Sequence, residues 1–175
     1  MYNSNFECLR EMIRDILVED FVPKSPEAFL LKTLRSWYFK QFDFKTAYLN
    51  SLLNTDIYIY APAGYSKHKS KSDPNKRVIY KLNRGLYGLK QAGRLWHIEL
   101  SKTLKKIGYE KHDAFPSTFV KKNKKGTVIN VIDLFVDDMI VSTMYENEMQ
   151  KMSDFLSEHY KLKEIQADEN GMQRF

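Results

Sequence analysis

Two hydrophobic periods alternate along this chain, and each change of period marks an element. Residues 6–20 repeat apolar positions at helical spacing, and Pro23 and Pro26 then interrupt the pattern. A short helix is predicted around Glu27–Ser36. Trp37–Phe44 (WYFKQFDF) alternates and is rich in aromatics, which suits a strand. Ala47–Leu53 reads as a short helix and Ile57–Tyr60 (IYIY) as a second strand. A polar, basic loop at 66–77 separates it from a short strand at Val78–Leu82.

Gly85, Gly88 and Gly93 punctuate a turn-rich stretch. From about Arg94 a helix is predicted, with Trp96, Leu100, Leu104 and Ile107 on one face and Gly108 as its stop. Phe119–Val120 and Val128–Val136 are β-prone, joined by the charged hairpin turn KKNKKG, and Met139–Ser142 is another short strand. Glu146–Tyr160 returns to helical spacing, with Met149, Met152, Phe155, Leu156 and Tyr160 along one side. Strands and helices mixed in this order predict an α+β fold.

Composition adds limits. With 175 residues, 43% hydrophobic and 29% charged, the chain can bury one sizeable core and is not of the disordered class. No apolar run approaches the ~20 residues that cross a bilayer. The acidic start has no signal-peptide core, and Cys8 is the sole cysteine, which excludes an internal disulfide and a cysteine-based zinc site. An intracellular protein without a membrane partner is expected. Charge is uneven: residues 61–130 hold 17 basic and 4 acidic residues, a net +13, while the remainder is net −7. A basic middle between acidic ends fits either a polyanion-binding surface or a solvated lysine-rich face.

One segment carries candidate chemistry. In VINVIDLFVDDMIVS two apolar runs flank Asp137 and Asp138. Adjacent carboxylates repel and resist desolvation, and the turn they form has no glycine to accept a positive φ. A divalent cation held by hard oxygen ligands would offset that cost; an exposed turn is the alternative. A two-metal centre needs a further acid from a second strand. Asp43 stands in such a setting, Phe42-Asp43-Phe44, where a helix cap or an edge-strand charge is the other reading.

Taken in order, four blocks resemble the reverse transcriptase of copia-type LTR retrotransposons: QFDFKTAYLNSLLNTDIYIYAPAGY, KLNRGLYGLKQAGRLWHIEL, GYEKHDAFPSTFVKK and LFVDDMIVS. The resemblance runs from about Pro23 to the end. It implies a right-hand polymerase palm, an antiparallel sheet with helices on one face, with partial fingers and no thumb. Residues 1–36 would form a divergent N-terminal segment and 37–175 the palm-like domain. It implies metal-binding catalytic carboxylates at Asp43, Asp137 and Asp138, with Asp43 and Asp137 as principal ligands. Tyr48 would be the aromatic wall that excludes a ribose 2′-hydroxyl. Gln91 would contact the incoming nucleotide, and the Phe44 backbone would help hold metal and triphosphate. Lys81, Arg84, Lys90 and Arg94 would contact phosphate.

The cofactor implied is Mg²⁺, with Mn²⁺ as the substitute. The partners implied are an RNA template, a DNA primer, dNTPs and other parts of a retrotransposon polyprotein, in the cytoplasm within a virus-like particle and in the nucleus.

Three departures from the family pattern qualify this. The region before Asp43 is short, and the basic finger residues expected there are missing. Asp133 stands where the family has an apolar residue. Strand alternation places Asp133 with Phe135 and Asp137 on one face, ~13 Å from Asp137. The chain also stops before the thumb and RNase H regions. The expectations are therefore an RNA-directed DNA polymerase, a catalytically inactive truncated remnant, or a non-enzymatic nucleic-acid-binding protein.

Overall fold

The computed structural model describes residues 37–61 and 78–165. The helices expected at 6–20 and 27–36 and the basic loop at 66–77 lie outside the described residues. Within them the class is α+β, as expected: antiparallel sheets and two helices.

The chain divides into two compact units. One comprises the residues up to Thr46 together with those from Leu100 onward; the other is Ala47–Glu99. The first unit is built on a six-stranded sheet of order β4-β5-β6-β7-β1-β8. Its strands are β1 (Tyr38–Phe44), β4 (Glu110–Lys111), β5 (Thr118–Lys122), β6 (Val128–Phe135), β7 (Asp138–Thr143) and β8 (Leu162–Ile165). Every pairing is antiparallel. The second unit carries the two-stranded ladder of β2 (Leu52–Tyr60) and β3 (Ile79–Arg84). Helix α1 spans Ala92–Lys106 and α2 spans Glu146–His159.

The register shows how alternation is used. Phe42 lies opposite Met139, Leu134 is also opposite Met139, and Ile132 is opposite Val141. These side chains share one face of the sheet, and Phe42, Met139, Ile132 and Val141 are all but inaccessible to solvent. Helix α2 meets this face: Met149, Met152 and Leu156, spaced for one helical stripe, are buried. The Phe44 ring packs edge-on against Tyr160 at 5.7 Å between centroids. Tyr160 also shares a 2.7 Å hydrogen bond with the Thr103 hydroxyl of α1. Lys121 ties β5 to α2 through a 2.7 Å ion pair with Glu148, which holds that carboxyl below the usual carboxylate range.

The opposite face bears a smaller apolar cluster of Trp37, Val120, Val128 and Val131. It also bears Gln41, Asp43, Asp138 and Asp133, as the register requires.

Boundaries moved where tertiary pairing outweighed local pattern. The helix expected at Ala47–Leu53 is a single 3-10 turn at Ala47–Asn50, because Leu52 onward is drawn into β2. The edge strands β4 and β8 were not foreseen; four residues or fewer carry too little periodicity to be read. The stop at Gly108 is observed, with φ of 86°, which glycine adopts freely. The KKNKKG turn is closed by Asn123, whose Oδ1 accepts from the N–H groups of Lys125 and Thr127 at 2.9 and 3.0 Å.

Candidate active site

β6 and β7 form a hairpin whose last pair is Phe135 with Asp138, so Val136 and Asp137 are its two-residue loop. The chain has no glycine there, and Val136 takes the left-handed conformation itself, with φ of 57°. For a β-branched residue this stores roughly 1–3 kcal/mol of strain, held in place by the packed strands on either side. The strain aims the two acids differently. Asp138 begins β7 on the sheet face that does not carry the Phe42–Met139 core, while Asp137 projects from the loop, with its Oδ1 shielded from solvent.

β1 lies beside β7 and brings the third acid. Asp43 is the register partner of Asp138, and the Phe44 N–H donates to the Asp137 carbonyl at 2.8 Å. That bond makes Phe44 and Asp137 a hydrogen-bonded pair, so Asp43 and Asp138 form the closer, non-hydrogen-bonded kind, with Cβ atoms about 5 Å apart. Both are half-buried. Directly opposed like charges destabilise a sheet. The structure thus gathers Asp43, Asp137 and Asp138, residues 94 to 95 apart in sequence, at one end of the β1–β7 ladder.

The donors fit a hard divalent cation in kind, since all are carboxylate oxygens. Among the described residues no group of three or more His, Cys, Asp or Glu side chains converges as a ready-made metal cage.

Two neighbours escaped the sequence reading. Gln41 shares the face of Asp43, and its Nε2 reaches Asp138 Oδ1 at 3.4 Å. Lys163 on β8 is the register partner of Asp43 on its other side. The alternation of β1 could have given Gln41, two residues before Asp43. Lys163 depended on the unforeseen β8.

The placement of Asp133 is a correction. It shares its face with Phe135 and Asp138, not with Asp137, because strand alternation ends at Phe135 where Val136 turns. Its carboxyl is not stranded: the Thr118 hydroxyl donates to Oδ1 at 3.2 Å. Burial pushes this carboxyl above the usual carboxylate range, and bonds from Thr118 and the Leu134 backbone oppose the shift. The folded state therefore binds the proton more tightly than the unfolded chain. Stability falls as pH rises above the unfolded value of about 3.9, and stays lowered above the folded value. Asp133→Asn should accordingly raise Tm at pH 7, with the gain vanishing near pH 3. A gain equal at both pH values would remove ionisation as its cause.

The remaining candidates all fall in the unit Ala47–Glu99. Tyr48 is half-buried, its ring 4.4 Å from that of Tyr87 between centroids. Gly85 lets the chain after β3 approach the 3-10 turn that carries Tyr48, since a Cβ there would come within 2.8 Å of the Tyr48 carbonyl oxygen. Gln91 directly precedes α1, accepts from the Leu95 N–H at its carbonyl, and reaches Thr55 Oγ1 through Nε2 at 3.4 Å. Lys81, Arg84, Lys90 and Arg94 are exposed. Lys81 pairs with Asp56 at 2.7 Å, and Arg84 donates to the Leu49 carbonyl at 2.9 Å.

Residues 28–170 match the family described as reverse transcriptase (RNA-dependent DNA polymerase). The chain belongs to this family. Its relatives are retrotransposon proteins, in keeping with the copia-type resemblance. The Pol polyprotein of transposon RE1 from Arabidopsis thaliana is 33% identical over 74% of this chain. A putative transposon Ty5-1 protein of Saccharomyces cerevisiae is 30% identical over 70% of it. The Pol polyprotein of transposon TNT 1-94 from Nicotiana tabacum is 31% identical over 72%. The matched stretch spans 8%, 38% and 9% of those proteins respectively. No helix among the described residues is long and apolar enough to cross a membrane.

Proposed function

We propose that this chain carries the nucleotidyl-transfer centre of an RNA-directed DNA polymerase, joining dNTPs to a primer 3′-hydroxyl on an RNA template. The reading rests on one observation above all: Asp43 and Asp138 are opposed as a close cross-strand pair with Asp137 beside them. In a family of polymerases such a charge cluster has a use that offsets its cost.

On this reading residues 37–175, the six-stranded sheet among them, form the palm-like domain. Asp43, Asp137 and Asp138 supply oxygen ligands, with Asp43 and Asp137 foremost, and Gln41 orients the Asp138 carboxylate. Bound Mg²⁺, or Mn²⁺ in its place, would activate the 3′-hydroxyl and neutralise charge on the leaving pyrophosphate. The Phe44 backbone, fixed by its bond to Asp137, shapes the triphosphate end of the site. Lys81, Arg84, Lys90 and Arg94 attract phosphate, and Gln91 takes the nucleotide near its sugar.

Primer extension on an RNA template with dNTPs and Mg²⁺, parent against Asp137→Asn, tests the reading. A chain that binds RNA in a salt-sensitive way but extends nothing would be a nucleic-acid-binding relative instead.

Tyr48 sets the sugar preference in this scheme. Its ring is braced by Tyr87, so it can act as a fixed wall against one extra oxygen. Removing a steric wall of this size is worth roughly 1–3 kcal/mol of discrimination. Tyr48→Ala should therefore raise incorporation of ribonucleotides relative to dNTPs by about 10- to 100-fold in single-nucleotide extension. An unchanged ratio would assign Tyr48 to packing alone.

A further inference from the structure

Asp43 stands between unlike neighbours. On β7 it faces Asp138, and on β8 it faces Lys163. The register carries the row one strand further, since Asp138 faces Phe135 on β6. Phe135, Asp138, Asp43 and Lys163 thus lie side by side across four strands on one sheet face, and Lys163 is the only cation in the row. Phe135 offers Asp138 no countercharge, and Gln41 offers it a neutral amide at 3.4 Å.

The backbone sets the distance between Asp43 and Lys163. The Lys45 N–H donates to the Lys161 carbonyl at 2.9 Å, which marks these two as a hydrogen-bonded pair. Two residues along, Asp43 and Lys163 are a pair of the same kind, with Cα atoms about 5.5 Å apart. The flexible four-carbon stem of a lysine spans that gap. The other face of the β1–β8 ladder is clamped separately, by Lys40 with Glu164 at 2.9 Å. β8 ends the sheet and Lys163 is exposed, so a lysine that discourages further strand pairing is the plain alternative. That role needs a charge on the edge, but not one set against Asp43.

We propose that Lys163 is a positioning residue that balances the acid cluster before a divalent cation arrives. In the metal-free chain its ammonium draws on Asp43 and offsets the repulsion from Asp138. Lys163 then yields Asp43 to the cation, and so sets how much cation the site demands. This role rests on the polymerase reading only for the use made of the cation. Charge balance within the row needs neither nucleotide nor nucleic acid.

The test uses the whole chain and has two readouts, neither of them activity. In EDTA, Lys163→Met should lower Tm by about 1–3 °C, the effect of losing an exposed ion pair. The same change made on Asp43→Asn should lower Tm by less than half as much, because the charge it answers is gone. Mn²⁺ alone, followed by the free-ion electron paramagnetic resonance signal at low salt, should bind Lys163→Met about threefold more tightly than the parent. Lys163→Arg keeps the charge and should bind Mn²⁺ as the parent does. So should Lys40→Met, which removes a lysine from the reverse face.

Equal Mn²⁺ affinity in Lys163→Met and the parent overturns the proposal, as does a parent that binds no Mn²⁺. A Tm loss of the same size in both backgrounds equally overturns it and leaves Lys163 as an edge guard. A parent that extends primers while Lys163→Met binds Mn²⁺ as the parent does sinks this proposal alone. A chain that shows both expected shifts yet extends no primer sinks the polymerase reading alone.

Discussion

Asp137→Asn should abolish primer extension, lowering the rate at least about a thousandfold while leaving Tm within a few degrees of the parent. The substitution keeps the shape of the side chain and removes one negative charge. A carboxylate that shares a divalent ion with the reacting phosphate acts mainly in the transition state, and a thousandfold loss corresponds to about 4 kcal/mol. Asp43→Asn should do the same. Asp138→Asn should lose less if Asp138 is the supporting ligand, because Gln41 already shares its Oδ1.

Asp133→Asn is the control within the same hairpin. It removes a carboxylate from the sheet face that carries Asp43 and Asp138, but one bonded to Thr118 rather than set against Asp43. It should leave extension near the parent rate. If Asp137→Asn extends primers as the parent does, the carboxylate assignment is wrong. If Asp133→Asn is equally dead, the hairpin tolerates no change at all and the specific role of Asp137 is lost.

The contrast between Asp133 and Asp137 also shows what the sequence could and could not convey. Alternation in β6 correctly grouped Asp133 with Phe135, because both lie within a regular strand. It failed one residue later, where Val136 adopts φ of 57° and the period of two no longer applies. Nothing in Val-Asp-Asp-Met signals that conformation, since the usual marker is a glycine. The fold class was legible because β1 alternates, while β6, buried over most of its length, reads as a short, nearly continuous apolar run of β-prone residues.

Asp43 could be nominated from its apolar flanks and from the resemblance, yet its opposition to Asp138 is a matter of register between strands some 95 residues apart. Register over that distance is set by the packed face beneath the acids, which a one-dimensional pattern does not express. Gln41 and Lys163 were missed for the same reason. Their significance lies in what stands across from them.

That dependence yields the second large effect. Phe42→Ala should destabilise the protein by about 3–5 kcal/mol, the usual cost of emptying an aromatic site in a close-packed core. Phe42 is 1% exposed, lies opposite Met139, and sits one residue from Asp43 on the reverse side of β1. With a total stability of roughly 5–15 kcal/mol expected for a domain, the variant would be marginal at 37 °C. The midpoint of urea unfolding should fall with little change in slope.

Tyr38→Ala, on the same strand but 47% exposed, should shift the midpoint by about 0.5 kcal/mol or less. Phe42→Leu separates packing from chemistry. It keeps most of the buried volume, so it should recover most of the stability, and any deficit in extension that outlasts that recovery measures how tightly Phe42 fixes the β1–β7 register. The acids are held at about 5 Å only while β1 stays in phase with β7, and a slip of one residue would send Asp43 to the core face and Phe42 to solvent. Wild-type stability in Phe42→Ala would mean that another contact sets this register, and the cross-strand pairing of Asp43 with Asp138 would need a different explanation.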